Sequence, residues 1–156
     1  MSELDEKKSY TEFSKKIKSA REKIGLSVQE VASKMMLSKE FYMDLETFDD
    51  DVMLCLSINK FLELCKILKI KPSYIFLENP EETYQTKDIE DLVESIDDYL
   101  KEQNISLVAF EEMVGWEVRP ILDDRSEIFG EKYSLAALHD ICVLLNLDWL
   151  KFLPNN

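Results

Sequence analysis

The chain has few residues that break helices. Its 156 residues include Gly 3 and Pro 4. Strand-rich folds place such residues at their many turns, so the scarcity points to an all-α protein. Histidine occurs once, as His139. Cys55, Cys65 and Cys142 are odd in number and form no CxxC pair. That excludes a disulfide framework and a paired-cysteine zinc site, and leaves three buried thiols in a reducing cytoplasm as the simplest account. There is no HExxH, no GxSxG and no glycine loop that cradles phosphate. His139 stands among Leu135, Leu138 and Cys142 at helical spacing, the setting of a structural histidine. Asp49-Asp50-Asp51 lacks the alternating ligands and glycine of an EF-hand and reads as a solvated acidic loop. An enzyme is therefore the least supported class, and no metal or cofactor is expected. No apolar run is long enough to span a bilayer. Residues 1–10 are charged and make no secretory signal. A cytoplasmic protein with no membrane partner is expected.

What the chain has is apolar residues and acid. Hydrophobic residues make up 46%, enough for a buried core. The net charge is −13, and it is unevenly distributed. Residues 1–80 carry 13 basic and 14 acidic side chains, a net of −1. Residues 81–156 carry 6 and 18, a net of −12. The acidic character belongs almost wholly to the second half.

The first half is organised around Leu26 to Glu46. Ser27 is a good N-cap, with Glu30 at the spacing of a capping box. Val28, Val31 and Met35 recur at helical spacing. Ser38 starts a second short helix whose apolar stripe is Phe41, Tyr42 and Leu45. Small Ala32 leaves room for a helix to cross. The layout is that of two helices joined by a tight turn. Before it, Phe13, Ile17, Ala20 and Ile24 mark an amphipathic helix over about 10–24, ended by Gly25. After it, a helix is expected from about Ser57 to Lys69, and Pro72 opens a short last one. Residues 1–9 read as a polar arm and 79–87 as a linker, dividing the chain into 10–78 and 88–156.

Arg21-x3-Gly25-Leu26-Ser27-x3-Val31-Ala32, then Leu37-Ser38 and Leu45-Glu46, resembles the phage-repressor helix-turn-helix family of the Cro and cI type, also called XRE. Ser57-x3-Phe61-x2-Leu64-x3-Leu68-x-Ile70 resembles that family's fourth helix. The resemblance covers about residues 10–77. It implies a five-helix unit with a structural ion pair between Arg21 and Glu46.

The unit then repeats. A shift of 79 carries Leu26-Ser27 onto Ile105-Ser106, Val31 onto Phe110, Met35 onto Val114 and Tyr42 onto Ile121. A shift of 77 carries Ser57-Ile58 onto Ser134-Leu135, Leu64-Cys65 onto Ile141-Cys142 and Ile70 onto Leu147. The change of offset implies a loop two residues shorter in the second copy. The expected architecture is two lambda-repressor-like five-helix units in tandem about a pseudo-two-fold axis. The plain alternative is one irregular all-α domain.

In the family, the second helix of the motif reads DNA. The positions that would face DNA or a partner here are Val28, Lys39, Glu40, Phe41, Met43 and Asp44. Glu40 and Asp44 oppose a phosphate field, and Phe41 and Met43 offer no hydrogen bonds to bases. Phe41 reads equally well as core. The second copy is further from a DNA reader: its face carries Glu117, Val118, Arg119, Pro120, Leu122 and Asp123. Leu100 and Arg125 replace the ion pair. A net of −12 works against counterion-driven duplex binding. The leading expectation is a non-enzymatic regulator that binds a basic protein, of the antitoxin or immunity type, through an acidic face of Asp97, Asp98, Glu111, Glu112, Glu117 and Asp123, through the apolar would-be recognition face of the first unit, or through both, with Trp116 as a candidate anchor and Trp149 read more readily as core. Met36 and Met43 are the methionines expected to be exposed. The alternative is a sequence-specific DNA-binding regulator that reads through the first unit. A homodimer is a further arrangement the scaffold allows.

Overall fold

A computed structural model describes residues 13–77 and 85–154, and only the backbone of 124–128. The expected arm, the start of the first helix over 10–12 and most of the expected linker lie outside the described residues, as does the Arg125 side chain. Every regular element described is helical. The order is α1 (Phe13–Lys23), α2 (Val28–Met35), α3 (Lys39–Leu45), α4 (Asp49–Leu54), α5 (Ile58–Leu68), α6 (Pro72–Phe76), α7 (Ile89–Gln103), α8 (Leu107–Val114), α9 (Arg119–Lys132), α10 (Leu135–Leu144) and a 3₁₀ turn (Trp149–Phe152). The fold is all-α. No described helix is long and apolar enough to cross a membrane.

Serine sets five of the helix starts. Ser27, Ser38, Ser57, Ser106 and Ser134 each accept a hydrogen bond from the backbone N–H three residues on. Each satisfies a donor that the first helical turn leaves unpaired. Ser27 and Glu30 close the expected capping box, and the Ser27 N–H holds the Glu30 carboxyl below its ordinary range. The ends are as regular. Six described residues take the left-handed conformation: Gly25, Met36, Lys69, Asn104, Gly115 and Asn146. They fall into three pairs: Gly25 with Asn104 and Met36 with Gly115, 79 apart, and Lys69 with Asn146, 77 apart. A β-carbon is disfavoured there, by about 1–2 kcal/mol in the helical limit. Met36 and Lys69 tolerate that strain where their partners are glycine and asparagine.

Between α1 and α3 lies the first half's polar anchor. Arg21 Nε donates to Glu46 Oε1 at 2.5 Å and Nη2 to Oε2 at 3.1 Å, a two-pronged pair. Arg21 Nη1 donates to the Leu26 carbonyl at 2.9 Å, and the Tyr42 hydroxyl donates to Glu46 Oε1 at 2.8 Å. The Arg21 and Glu46 side chains are 11% and 6% exposed. The hydrogen bonds that Arg21 donates to Glu46 raise the Arg21 pKa, and burial raises that of the Tyr42 phenol, with Glu46 adding to it. Three elements, α1, the α1–α2 turn and the end of α3, are thereby locked together.

The halves share one continuous core. Their backbones pass antiparallel at Ser57 and Ser134, and the Ile58 N–H donates to the Tyr133 carbonyl at 2.8 Å. On either side α4 packs on α10 and α9 on α5. The α9–α5 crossing is close at Gly130, where a β-carbon would collide with Asn59 Oδ1. Phe76 meets Trp149 edge-to-face at 4.9 Å.

Three expectations need correction. Asp49-Asp50-Asp51 is the first turn of α4 and not a loop. Acidic residues suit the positive end of a helix, and Asp49 Oδ1 also accepts from Ser14 N and Oγ at 2.9 and 2.8 Å, tying α4 to the start of α1. The shortened loop of the second half is no loop at all, because α9 runs unbroken from Arg119 to Lys132. Cys55 is exposed where all three thiols were expected inside. It follows α4 on the outward side, while Val52, Met53 and Leu56 turn inward.

Two outcomes follow. A limited dose of iodoacetamide labels the native protein at Cys55, slowly because burial and Asp51 raise its pKa. Cys65 and Cys142, which burial pushes up to about 12, react only after unfolding, as peptide mass mapping would show. Glu46→Ala strands the Arg21 charge and lowers unfolding free energy in urea by about 3 kcal/mol or more, whereas Arg21→Met with Glu46→Leu recovers much of the loss.

Candidate functional site

The outer surface of α2 and α3 is mixed in character. Val28 and Phe41 are half-buried against the core, so Phe41 is part packing and part surface. Lys39, Glu40, Met43 and Asp44 are exposed. Met36, in the turn between the helices, is 88% exposed and Met43 is 47% exposed. Met35 is fully buried. Gln29 and Ser33 hydrogen-bond each other at 3.3 Å. Lys60 Nζ donates to the Met35 carbonyl at 3.2 Å and pairs with Glu63, so this lysine stabilises the end of α2. The face thus offers two lysines, Lys34 and Lys39, two carboxylates and two thioethers.

In the second half, α8 and α9 line a groove of about 580 Å³. Its apolar floor is Val108, Trp116 and Pro120. Its rim carries Glu111, Glu112, Glu117 and Asp123, with Arg119 as the one cation among the described lining residues. Four of the six acidic residues expected on a partner face are brought together here. Asp97 and Asp98 are exposed on α7 and do not line the groove.

The four carboxylates are not equivalent. Val118, the residue capping α9, offers no side-chain hydrogen bond of its own. Glu111 reaches across instead: its Oε2 accepts from Val118 N at 2.6 Å and Arg119 N at 3.4 Å. Glu111 therefore holds the α8–α9 joint, a role the face-based reading did not foresee. Glu112, Glu117 and Asp123 remain exposed. The Tyr133 hydroxyl donates to the Glu117 carbonyl at 2.5 Å, and burial pushes its phenol up to about 12.

Trp116 is half-buried, with its Nε1 donating to Asp140 Oδ2 at 2.9 Å. The ring is held at the groove by α10. Trp149 lies between Phe76 and His139 and belongs to the packing between the halves. His139 Nδ1 lies 3.1 Å from Asp140 Oδ1. Sequence spacing did not single out Val108. Its position one turn before Glu111 and Glu112 was the available signal. Among the described residues there is no cluster of His, Cys, Asp and Glu able to hold a metal. Comparison with protein-family models, curated proteins and solved structures found no match.

The different roles of adjacent carboxylates are testable. Glu111→Ala removes a cap and lowers urea-unfolding stability by about 1 kcal/mol. Glu112→Ala, at an exposed position, stays within about 0.5 kcal/mol of the parent.

Proposed function

We propose that this protein is a non-enzymatic regulator built from two repressor-like helical units in tandem, with six described helices in the first half and four and a 3₁₀ turn in the second where five each were expected, and that it acts by binding a basic protein in the acidic groove of its second unit. The observation that carries the reading is the groove itself: Glu112, Glu117 and Asp123 stand around a floor that includes Trp116, on a half of net charge −12. A fixed aromatic ring beside exposed apolar Val108, with a charged rim, suits a protein-binding hot spot. The charge steers cationic partners inward and rejects nucleic acid.

Support for the tandem arrangement is geometric. Left-handed residues recur in three pairs at the offsets where the helix-starting serines recur. Ser57 and Ser134, equivalent under the shift of 77, pair with each other across the junction. Where α4 packs on α10, the second half of α9 packs on α5. Residue i meeting j′ while j meets i′ is the pattern of a two-fold contact. The Cro and cI resemblance rests on the Arg21–Glu46 pair and the capped helices α2 and α3.

A second reading, DNA recognition through α2 and α3, is favoured by the exposed Gln29, Lys34 and Lys39. Glu40, Asp44 and the two exposed methionines oppose it.

One pair of measurements decides. The immobilised protein retains a single basic protein from extract of its own cells, eluted by salt. The same bait carrying Glu112→Lys, Glu117→Lys and Asp123→Lys loses about tenfold or more in affinity. Salt-steep duplex binding in a gel-shift titration, abolished by Lys39→Glu, with no protein retained, overturns the leading reading.

A further inference from the structure

We infer that the first unit carries a binding pocket for a small organic anion, a carboxylate or similar acid group on an apolar body. The pocket lies on the first unit between the end of α1, the end of α5 and α6. It measures about 500 Å³, within the range of small-molecule sites. Ile24 and Tyr74 contribute to its apolar wall, and Lys23, Lys69 and Lys71 also line it.

Charge is the first argument. The chain carries a net charge of −13, yet three exposed lysines, one at the end of α1 and two in the α5–α6 turn, line this pocket with no described acidic residue beside them. None of the three makes an ion pair or side-chain hydrogen bond with a described residue. Two adjoining depressions share Lys69 and are likewise lined by lysine without acid among the described residues. Like charges gathered on a concave apolar surface repel one another unless an anion comes between them.

Ser73 is the second, independent argument. It lines the same pocket, is fully buried, and its Oγ has no hydrogen-bond partner among the described residues. It is the one such side chain among them. A buried hydroxyl without a partner calls for a reason, and an acid oxygen that parts the side chains covering Ser73 to accept from it, while the lysines balance its charge, supplies one. The apolar wall selects against a bare inorganic ion, and the concavity against a nucleic-acid backbone. The inference stands apart from whatever the acidic groove holds.

The test is a fluorescence titration of the full chain with 8-anilinonaphthalene-1-sulfonate, an aromatic anion, with decanoate as competitor. Saturation at one probe per chain, with displacement by decanoate, is expected. Lys23→Glu with Lys71→Glu should weaken the probe about tenfold or more, while the uncharged N-phenyl-1-naphthylamine is unaffected. Lys23→Gln with Lys71→Gln replaces that variant if its melting temperature falls. Ser73→Ala should weaken binding severalfold and raise the melting temperature, a combination that lost packing does not produce. Unchanged probe affinity in the lysine variants overturns the inference. So does displacement of the probe by duplex DNA but not by decanoate, which would make the patch a polyanion surface.

Discussion

The first half depends on one buried ion pair. Arg21 and Glu46 are nearly out of water, and a charge in that position is tolerable only when every donor and acceptor is engaged. The guanidinium reaches two carboxylate oxygens and the Leu26 carbonyl, and Tyr42 contributes its hydroxyl to the same carboxylate. These bonds fix where α1 ends, how the chain turns into α2, and where α3 stops. The exposed face of α2 and α3 takes its orientation from that arrangement.

The second half is held by other contacts. Leu100, 79 residues after Arg21, packs against the core. Tyr99 and Phe110 meet edge-to-face at 5.6 Å. The polar work passes to Glu111, which holds the start of α9, and to Tyr133, which holds the Glu117 carbonyl. Helix ends and left-handed turns stay at equivalent places while the bonds that secure them differ. Backbone geometry of this kind is set by local caps, so it survives exchange of the tertiary anchor.

Much of the fold was legible because its signals are local. Serine caps, the capping box at Ser27–Glu30 and the apolar spacing of α1 and α5 are read within one helical turn. The Arg21–Glu46 contact is not local and came from resemblance alone. The continuity of α9 escapes analogy with the first half, which predicts a shortened loop before Ser134; α9 instead carries straight through the polar run Asp123 to Ser126. That run contains neither glycine nor proline, and nothing in it stops a helix. Four groove carboxylates were foreseen as a face, but Glu111's bond to Val118 spans seven residues and escapes helical periodicity. The lysine pocket left no sequence signal, since Lys23 is far along the chain from Lys69 and Lys71.

The unbroken course of α9 has a mechanical consequence. The first half bends twice between α3 and α5, at the joint after Leu45 and again after Leu54, so a push on α3 is dissipated in hinges. In the second half one rod of 14 residues, about 20 Å at the helical rise, replaces two segments. One end of that rod forms the groove, and the other lies against α5 at Gly130. A displacement at Pro120 therefore runs along a single helix to the contact with Asn59 on the opposite half.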